Sequence, residues 1–298
     1  MSRRSWLLLG SLSALWGSSY LFIKVGLDDG LSPSVIVFVR SLLAALVLLP
    51  LAARAGALNG LRDNMGAILV LAVVQMGGPL TLIAVGEQEI SSSLAGILVA
   101  TAPIFTFLLA FALEGEERAS GVSLVDVVVG ITGVAMLLGV DVDGRPAALL
   151  GGLLVVLASF GYGVGAWYVK RNVRGVRPIA MVGATTLTVA LASAPFALLA
   201  RPSHAPGMDA IGSLLTLGVL CTGLAFVIFY SLVSSDGPAK ASLVGYIAPG
   251  FSIFYGITLL DERFTVATAA GVLLILGGSW LAAEGRLPGR RARQTAVA

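Results

Sequence analysis

The sequence predicts an all-α integral membrane protein, with ten transmembrane helices arranged as two inverted five-helix repeats. Three observations carry that prediction. Of 298 residues only 12% are charged and 57% are hydrophobic, with a mean hydropathy of +0.96, whereas a soluble domain carries about 25% charged residues. Apolar stretches of membrane-spanning length recur ten times between short turns. The second half of the chain repeats the first.

A hydrocarbon core about 30 Å thick needs about 20 mostly apolar residues per helix. Such stretches run from Trp6 to Val25, Pro33 to Ala53, Met65 to Val85, Ser91 to Leu113 and Val122 to Val140. Five more run from Ala147 to Val169, Pro178 to Ala200, Ile211 to Val233, Ala239 to Leu260 and Phe264 to Ala283. The first follows Arg3 and Arg4 as a signal peptide would, but it is long enough to cross and nine more follow, so it is read as retained. The breaks carry turn and charge residues, as in Gly26-Leu27-Asp28-Asp29-Gly30 and Ser235-Asp236-Gly237-Pro238. No loop is long enough to fold as a separate domain.

Orientation follows from the loop cations. With the N-terminus cytoplasmic, that side holds Arg3, Arg4, Arg54, Arg62, Arg118, Lys170, Arg171, Arg174, Arg177, Lys240, Arg286, Arg290, Arg291 and Arg293, and the other holds Lys24, Arg145, Arg201 and Arg263. Fourteen against four, with Arg40 set aside inside a span, places both termini in the cytoplasm. The net charge of +3 and the basic tail 286–298 therefore fit anionic lipid and need no nucleic acid. One cysteine, Cys221, excludes a disulfide framework within the chain.

Shifted by 146 residues, Gly17 falls on Gly163, Lys24 on Lys170, Gly77 on Gly223, Ala102 on Ala248, Pro103 on Pro249 and Phe105 on Phe251; shifted by 145, Gly30 meets Gly175, Pro33 meets Pro178 and Glu117 meets Glu262. The repeats are 1–143 and 144–285. Five is odd, so the copies enter the membrane oppositely, as in many secondary transporters whose site lies at the midplane beside helices broken by Pro or Gly in matching positions. Pro103 and Pro249 are that pair. An interior proline costs a helix about 3 kcal/mol, and membrane helices also tolerate such kinks without functional meaning; the matched pair favours helices that line a pathway.

Four stretches at repeat spacing, "LSALWGSSYLFIKVGL", "SPSVIVFVRSLLAALVLLP", "TAPIFTFLLAFALEGEER" and "YIAPGFSIFYGITLLDERF", resemble the drug/metabolite transporter superfamily, and within it the ten-helix EamA family of bacterial permeases. The resemblance covers nearly the whole chain. It implies an inner-membrane carrier of small metabolites, most often an exporter of amino acids or related amphipathic compounds, working with lipid and solute as monomer or homodimer. It also implies a central cavity surrounded by the first four helices of each half, lined from Trp16, Ser19, Tyr20, Gln75, Thr81, Thr101, Tyr162, Trp167, Thr222, Phe226, Tyr230 and Tyr246. The same residues are the polar and aromatic ones well inside the spans, where their hydrogen-bonding groups need protein or water. Each alone also suits helix packing; as a set they describe a mixed aromatic and polar cavity for neutral, zwitterionic or aromatic solutes.

Arg40 lies within the second span, where a charge costs at least about 2.5 kcal/mol. It either attracts a solute carboxylate, or snorkels, or pairs with Asp28, Asp29 or Glu87. Lys24 and Lys170 are expected to snorkel, with alternating gates as the other reading. Glu87, Glu89 and Asp126 flank span ends and are expected to be solvated rather than proton relays, which favours facilitated transport or exchange, with weak proton coupling through Glu87 as the alternative. No catalytic residues, metal or cofactor are expected. An intramembrane hydrolase would need Ser and His in the bilayer, and the one histidine, His204, sits in a loop beside prolines; "DVDG" at Asp141 lacks the later ligands of a calcium loop. The glycines at 161, 163 and 165 lie inside a helix and mark close packing, not a nucleotide loop. A sensor or scaffold remains the other alternative, though nothing resembling a signalling domain is appended.

Overall fold

In a computed structural model, which describes residues 2–114, 121–140, 145–200, 202 and 204–284, the chain runs through α1 (Arg3–Asp28), α2 (Pro33–Arg54) and α3 (Met65–Leu71), which a π-helical turn, Ala72–Gly77, joins to α4 (Gly78–Gly86). Then come α5 (Ser92–Val99), α6 (Ala102–Glu114), α7 (Gly121–Val140), α8 (Pro146–Asn172) and α9 (Pro178–Leu199). A second π-helical turn, Thr216–Leu224, joins α10 (Met208–Leu215) to α11 (Ala225–Asp236), and α12 (Pro238–Ala241), α13 (Val244–Leu259) and α14 (Val266–Glu284) complete the chain. Among the described residues, seven stretches are long and apolar enough to cross a membrane, and the shorter apolar helices Val127–Gly139, Val244–Leu259 and Val266–Trp280 bring the spanning elements to ten. The Glu116-Glu117-Arg118 corner, the Asp141 turn and the basic tail lie outside the described residues.

Local chemistry sets the helix starts. Ser2, Ser32 and Ser91 stand in extended backbone and accept the N–H three residues on, satisfying a donor the helix leaves orphaned. Pro33, Pro146 and Pro178 open α2, α8 and α9, where a missing N–H costs nothing. The repeat mates Gly30 and Gly175 turn the chain just before Pro33 and Pro178 with φ of 83° and 70°, a left-handed backbone that glycine adopts without a Cβ penalty.

The two prolines meet different fates. Pro103 is not interior as expected: its span is interrupted at Ala100 and Thr101, and Pro103 is the second residue of α6, a place where proline removes no helical hydrogen bond. Pro249 does lie inside α13, with the interruption of its span earlier, at Ser242 and Leu243.

Packing repeats with the sequence. A Cβ on Gly17 would meet the Phe251 Cβ at 2.6 Å and the Ser252 nitrogen at 3.0 Å; one on its mate Gly163 would meet the Phe105 Cβ and the Thr106 nitrogen, both at 3.0 Å. So α1 lies on α13 as α8 lies on α6, while α2 packs along α9 and α7 along α14, each against its own repeat mate. The loops sort to two ends. At one, the Asn64 amide donates to the Arg174 carbonyl (3.1 Å) and Arg177 to that of Ala55 (2.8 Å). At the other, Gly207 N–H donates to Asp29 (3.0 Å), Ser32 to the Ala200 carbonyl (3.3 Å), and Ser92 and Ser93 N–H to Glu262 (2.7 and 3.0 Å). Loops following spans two and six share the first end; those following spans one, three, seven and nine share the second. The second repeat therefore enters from the end opposite the first.

Candidate functional site

The site is built outward from Arg40, the eighth residue of α2, which is 8% exposed. Its Nε donates to Thr222 Oγ1 at 2.8 Å and its Nη2 to Ser19 Oγ at 3.4 Å. Thr222 is aimed by the π-helical turn: its hydroxyl donates five residues back, to the Leu217 carbonyl at 2.8 Å, the spacing of a π register. No carboxylate among the described residues lies within 4 Å of Arg40; its expected acid partners Asp28, Asp29 and Glu87 are not paired with it, and Asp28 pairs with Lys24 instead at 3.3 Å. A guanidinium carries five N–H donors, so two hydroxyl acceptors leave it able to receive an anionic group.

Aromatic rings lie one helical turn along the chain from each hydroxyl partner, Trp16 from Ser19 and Phe226 from Thr222. Trp16 meets Phe226 edge-on at 5.7 Å and Phe229 at 5.5 Å, and Phe226 stacks on Tyr230 at 6.1 Å. Tyr20 and Tyr162 lie within electrostatic reach of Arg40 and of one another. Trp16 and Tyr162 are repeat mates at the shift of 146, so both halves present a ring at that level. Of the residues singled out in the sequence, Ser19 and Thr222 bond Arg40, Tyr20 and Tyr162 lie within its electrostatic reach, and Trp16, Phe226 and Tyr230 share one aromatic cluster.

Others serve the frame. Gln75, in the first π-helical turn, fills the space over Gly165, while Gly161 abuts the Val74 carbonyl, so the glycine run is a close-packing surface. Trp167 has the Arg171 guanidinium 5.1 Å from its ring centre, and its Nε1 is buried without an acceptor. Buried Thr101 closes the interruption of its span by donating to the Leu98 carbonyl at 2.7 Å. The Tyr246 hydroxyl donates to the Ser279 carbonyl (3.2 Å) and Ser279 to that of Ala100 (2.8 Å), a chain in which α14 links both interrupted spans. Pro103 is half-buried, Pro249 is buried, and Thr81 is exposed on α4. A separate groove of about 510 Å³, lined by residues such as Leu42, Leu46, Pro50 and Leu187, offers nothing polar to orient a solute.

Glu87 corrects an expectation. It is not solvated: it is 0% exposed, and both carboxylate oxygens lack a hydrogen-bond partner among the described residues. It caps α4 one residue beyond the third span, its own carbonyl accepts from Lys24 Nζ at 3.3 Å, and Gly86 beside it presses against the Gly151 carbonyl. Burial, and after it the neighbouring Glu262 carboxylate, pushes the Glu87 carboxyl well above the ordinary carboxylate range, against the opposing pull of Lys24 and Arg40. Glu262 was legible only as the repeat mate of Glu117; its role in capping α5 needs the fold.

These features match known proteins. The chain is 26% identical to "Uncharacterized transporter YoaV" of Bacillus subtilis, over 91% of this chain and 94% of that protein. It is 29% identical to "Uncharacterized inner membrane transporter YedA" of Escherichia coli K12, over 91% of each. At 24% identity, over 94% and 95%, it is similar to a "Probable amino-acid metabolite efflux pump" of Escherichia coli K12. A solved structure described as "Crystal structure of protein" shares the fold, with a TM-score of 0.67 at 19% identity over 95% of this chain and 97% of that one. The EamA-like transporter family matches residues 4–139 and again 149–283. The match spans two inverted copies of one helical unit, and the chain belongs to the EamA-like transporter family.

Proposed function

We propose that this membrane transporter moves a small zwitterionic or anionic metabolite, an amino acid or a related amphipathic compound, outward across the inner membrane by alternating access, with both termini in the cytoplasm. The observation that carries the reading is Arg40: a buried guanidinium held by two neutral hydroxyls, with aromatic rings a turn along the chain from each of them and no carboxylate of the described residues within 4 Å. A buried cation without a counter-charge is costly, and a solute carboxylate relieves that cost while being oriented by the planar fork. The rings of Trp16, Phe226 and Tyr230 suit the solute's apolar body. The relative named as a probable amino-acid metabolite efflux pump supports amino acids as the first class to test.

The test is counterflow of labelled amino acids into liposomes holding the purified protein. Arg40→Lys keeps the charge but not the fork, and should raise the half-saturating concentration about tenfold, the equivalent of about 1.4 kcal/mol. Arg40→Gln should abolish exchange of carboxylate solutes while the protein remains folded in detergent. Equal exchange by wild type and Arg40→Gln would remove the carboxylate from the reading; conversion of a solute without flux would remove the transporter.

A further inference from the structure

We propose that Glu87 is a proton-binding site whose occupancy is linked to the solute, such that the protonated, neutral side chain favours binding of a carboxylate solute at Arg40. The proposal rests on the transport reading above.

The geometry comes first. Glu87 is fully buried with two unpartnered oxygens, and the hydroxyls of Ser92 and Ser93, at the start of α5, are likewise buried without partners. An ionised carboxylate in that condition would forgo both water and hydrogen bonds, whereas a protonated one carries no charge to desolvate. Its neighbour Glu262 is in the opposite condition. Both Glu262 oxygens accept backbone N–H groups, from Ser92 at 2.7 Å and Ser93 at 3.0 Å, at the N-terminus of α5 where the helix dipole favours an anion. Two carboxyl groups in mutual reach do not both ionise readily, and the hydrogen bonds decide which one keeps the charge. Glu87, which lacks such bonds, is the one that holds the proton.

The other charges around Glu87 give the sign of the linkage. The second repeat contributes Glu262, α1 contributes Lys24, Asp28 and Tyr20, α2 contributes Arg40, and α8 meets this end through Gly151 and Val155, with Tyr162 deeper along it. With Glu87 neutral, Lys24 and Arg40 face Asp28 and Glu262, two positive charges against two negative. Loss of the Glu87 proton to water adds a third negative charge within reach of Arg40, where it competes with a solute carboxylate for the same cation. Protonation therefore strengthens carboxylate binding, and by reciprocity the bound solute strengthens protonation.

Two measurements test this. Infrared absorption of the lipid-reconstituted protein at neutral pH should show the carbonyl stretch of a protonated carboxylic acid; Glu87→Gln should lose it and Glu262→Gln keep it. Absence of that band from the wild type overturns the proposal whether or not any solute moves. In liposomes, the affinity for a carboxylate amino acid should fall as pH rises in the wild type, stay flat in Glu87→Gln, and fall as in the wild type in His204→Asn, which removes the exposed histidine of the loop. An identical pH profile in wild type and Glu87→Gln overturns the linkage. Failure of every preparation to exchange solute, with the infrared band present, would instead sink the transport reading and with it the linkage, leaving only the buried acid.

Discussion

Arg40 and Glu87 sit at similar remove from water and are handled in opposite ways. The arginine cannot discharge, so the fold surrounds it with oxygen: Ser19 from α1 and Thr222 from the π-helical turn. The glutamate can discharge, and none of the described residues donates to its carboxylate. Arg40 was legible in the sequence because a lone cation inside an apolar run has few physical explanations. Glu87 was not, because a carboxylate at the edge of a span is normally wet, and only the approach of Gly86 to Gly151 and of Lys24 to the Glu87 carbonyl covers it. Thr222 belongs with Arg40 at this scale. Thr222→Val keeps the shape and strips the acceptor, leaving a buried charged N–H unpaired, which should lower stability by about 1–3 kcal/mol in thermal unfolding in detergent. Thr222→Ser, which restores the hydroxyl, should recover most of that loss; equal instability of both variants would show that the methyl group, not the hydrogen bond, matters.

At the scale of elements, the repeat in the sequence was written mainly in glycine and proline, and the packing explains why. Gly17 and Gly163 allow α1 onto α13 and α8 onto α6 at distances that leave no space for a methyl group. Gly17→Val and Gly163→Val should each destabilise the protein, by about 1–3 kcal/mol as overpacking does. Read as thermal unfolding, the two losses should be similar because the contacts are related by the repeat; a large loss for one and none for the other would mean that the two interfaces are not equivalent. The π-helical turns at Ala72–Gly77 and Thr216–Leu224 also fall at matched positions, yet as a repeat pair only their glycines, Gly77 and Gly223, stood out in the sequence. A π register shifts hydrogen bonds by one residue without requiring a distinctive composition, so it is visible only in the backbone. The same holds for Pro103: the residue was legible, but whether a proline kinks a helix or begins one depends on where the preceding turn ends.

At the scale of the molecule, inversion of the second repeat follows from an odd number of spans per repeat, and the cation counts propose which end is cytoplasmic. The contacts then place specific residues: Arg174 lies with Asn64 at one end and Glu262 with Ser92 at the other. This permits a direct test of the inversion. Cys221 is buried 3.5 Å from the Ser18 hydroxyl, so Cys221→Ser should give a folded cysteine-free background. In it, Arg263→Cys, Arg62→Cys and Arg174→Cys replace exposed side chains, and each can be reacted with a maleimide that does not cross membranes. Intact cells should label position 263 alone, and opened cells all three. The first repeat fixes the side of 62 and the second those of 174 and 263, so the pattern reads the relative orientation of the halves rather than of one loop. Labelling of 174 and 263 from the same side would be incompatible with the three crossings between them, and labelling of 62 and 174 from opposite sides would be incompatible with the four crossings between those two and would dissolve the two-fold relation between the repeats.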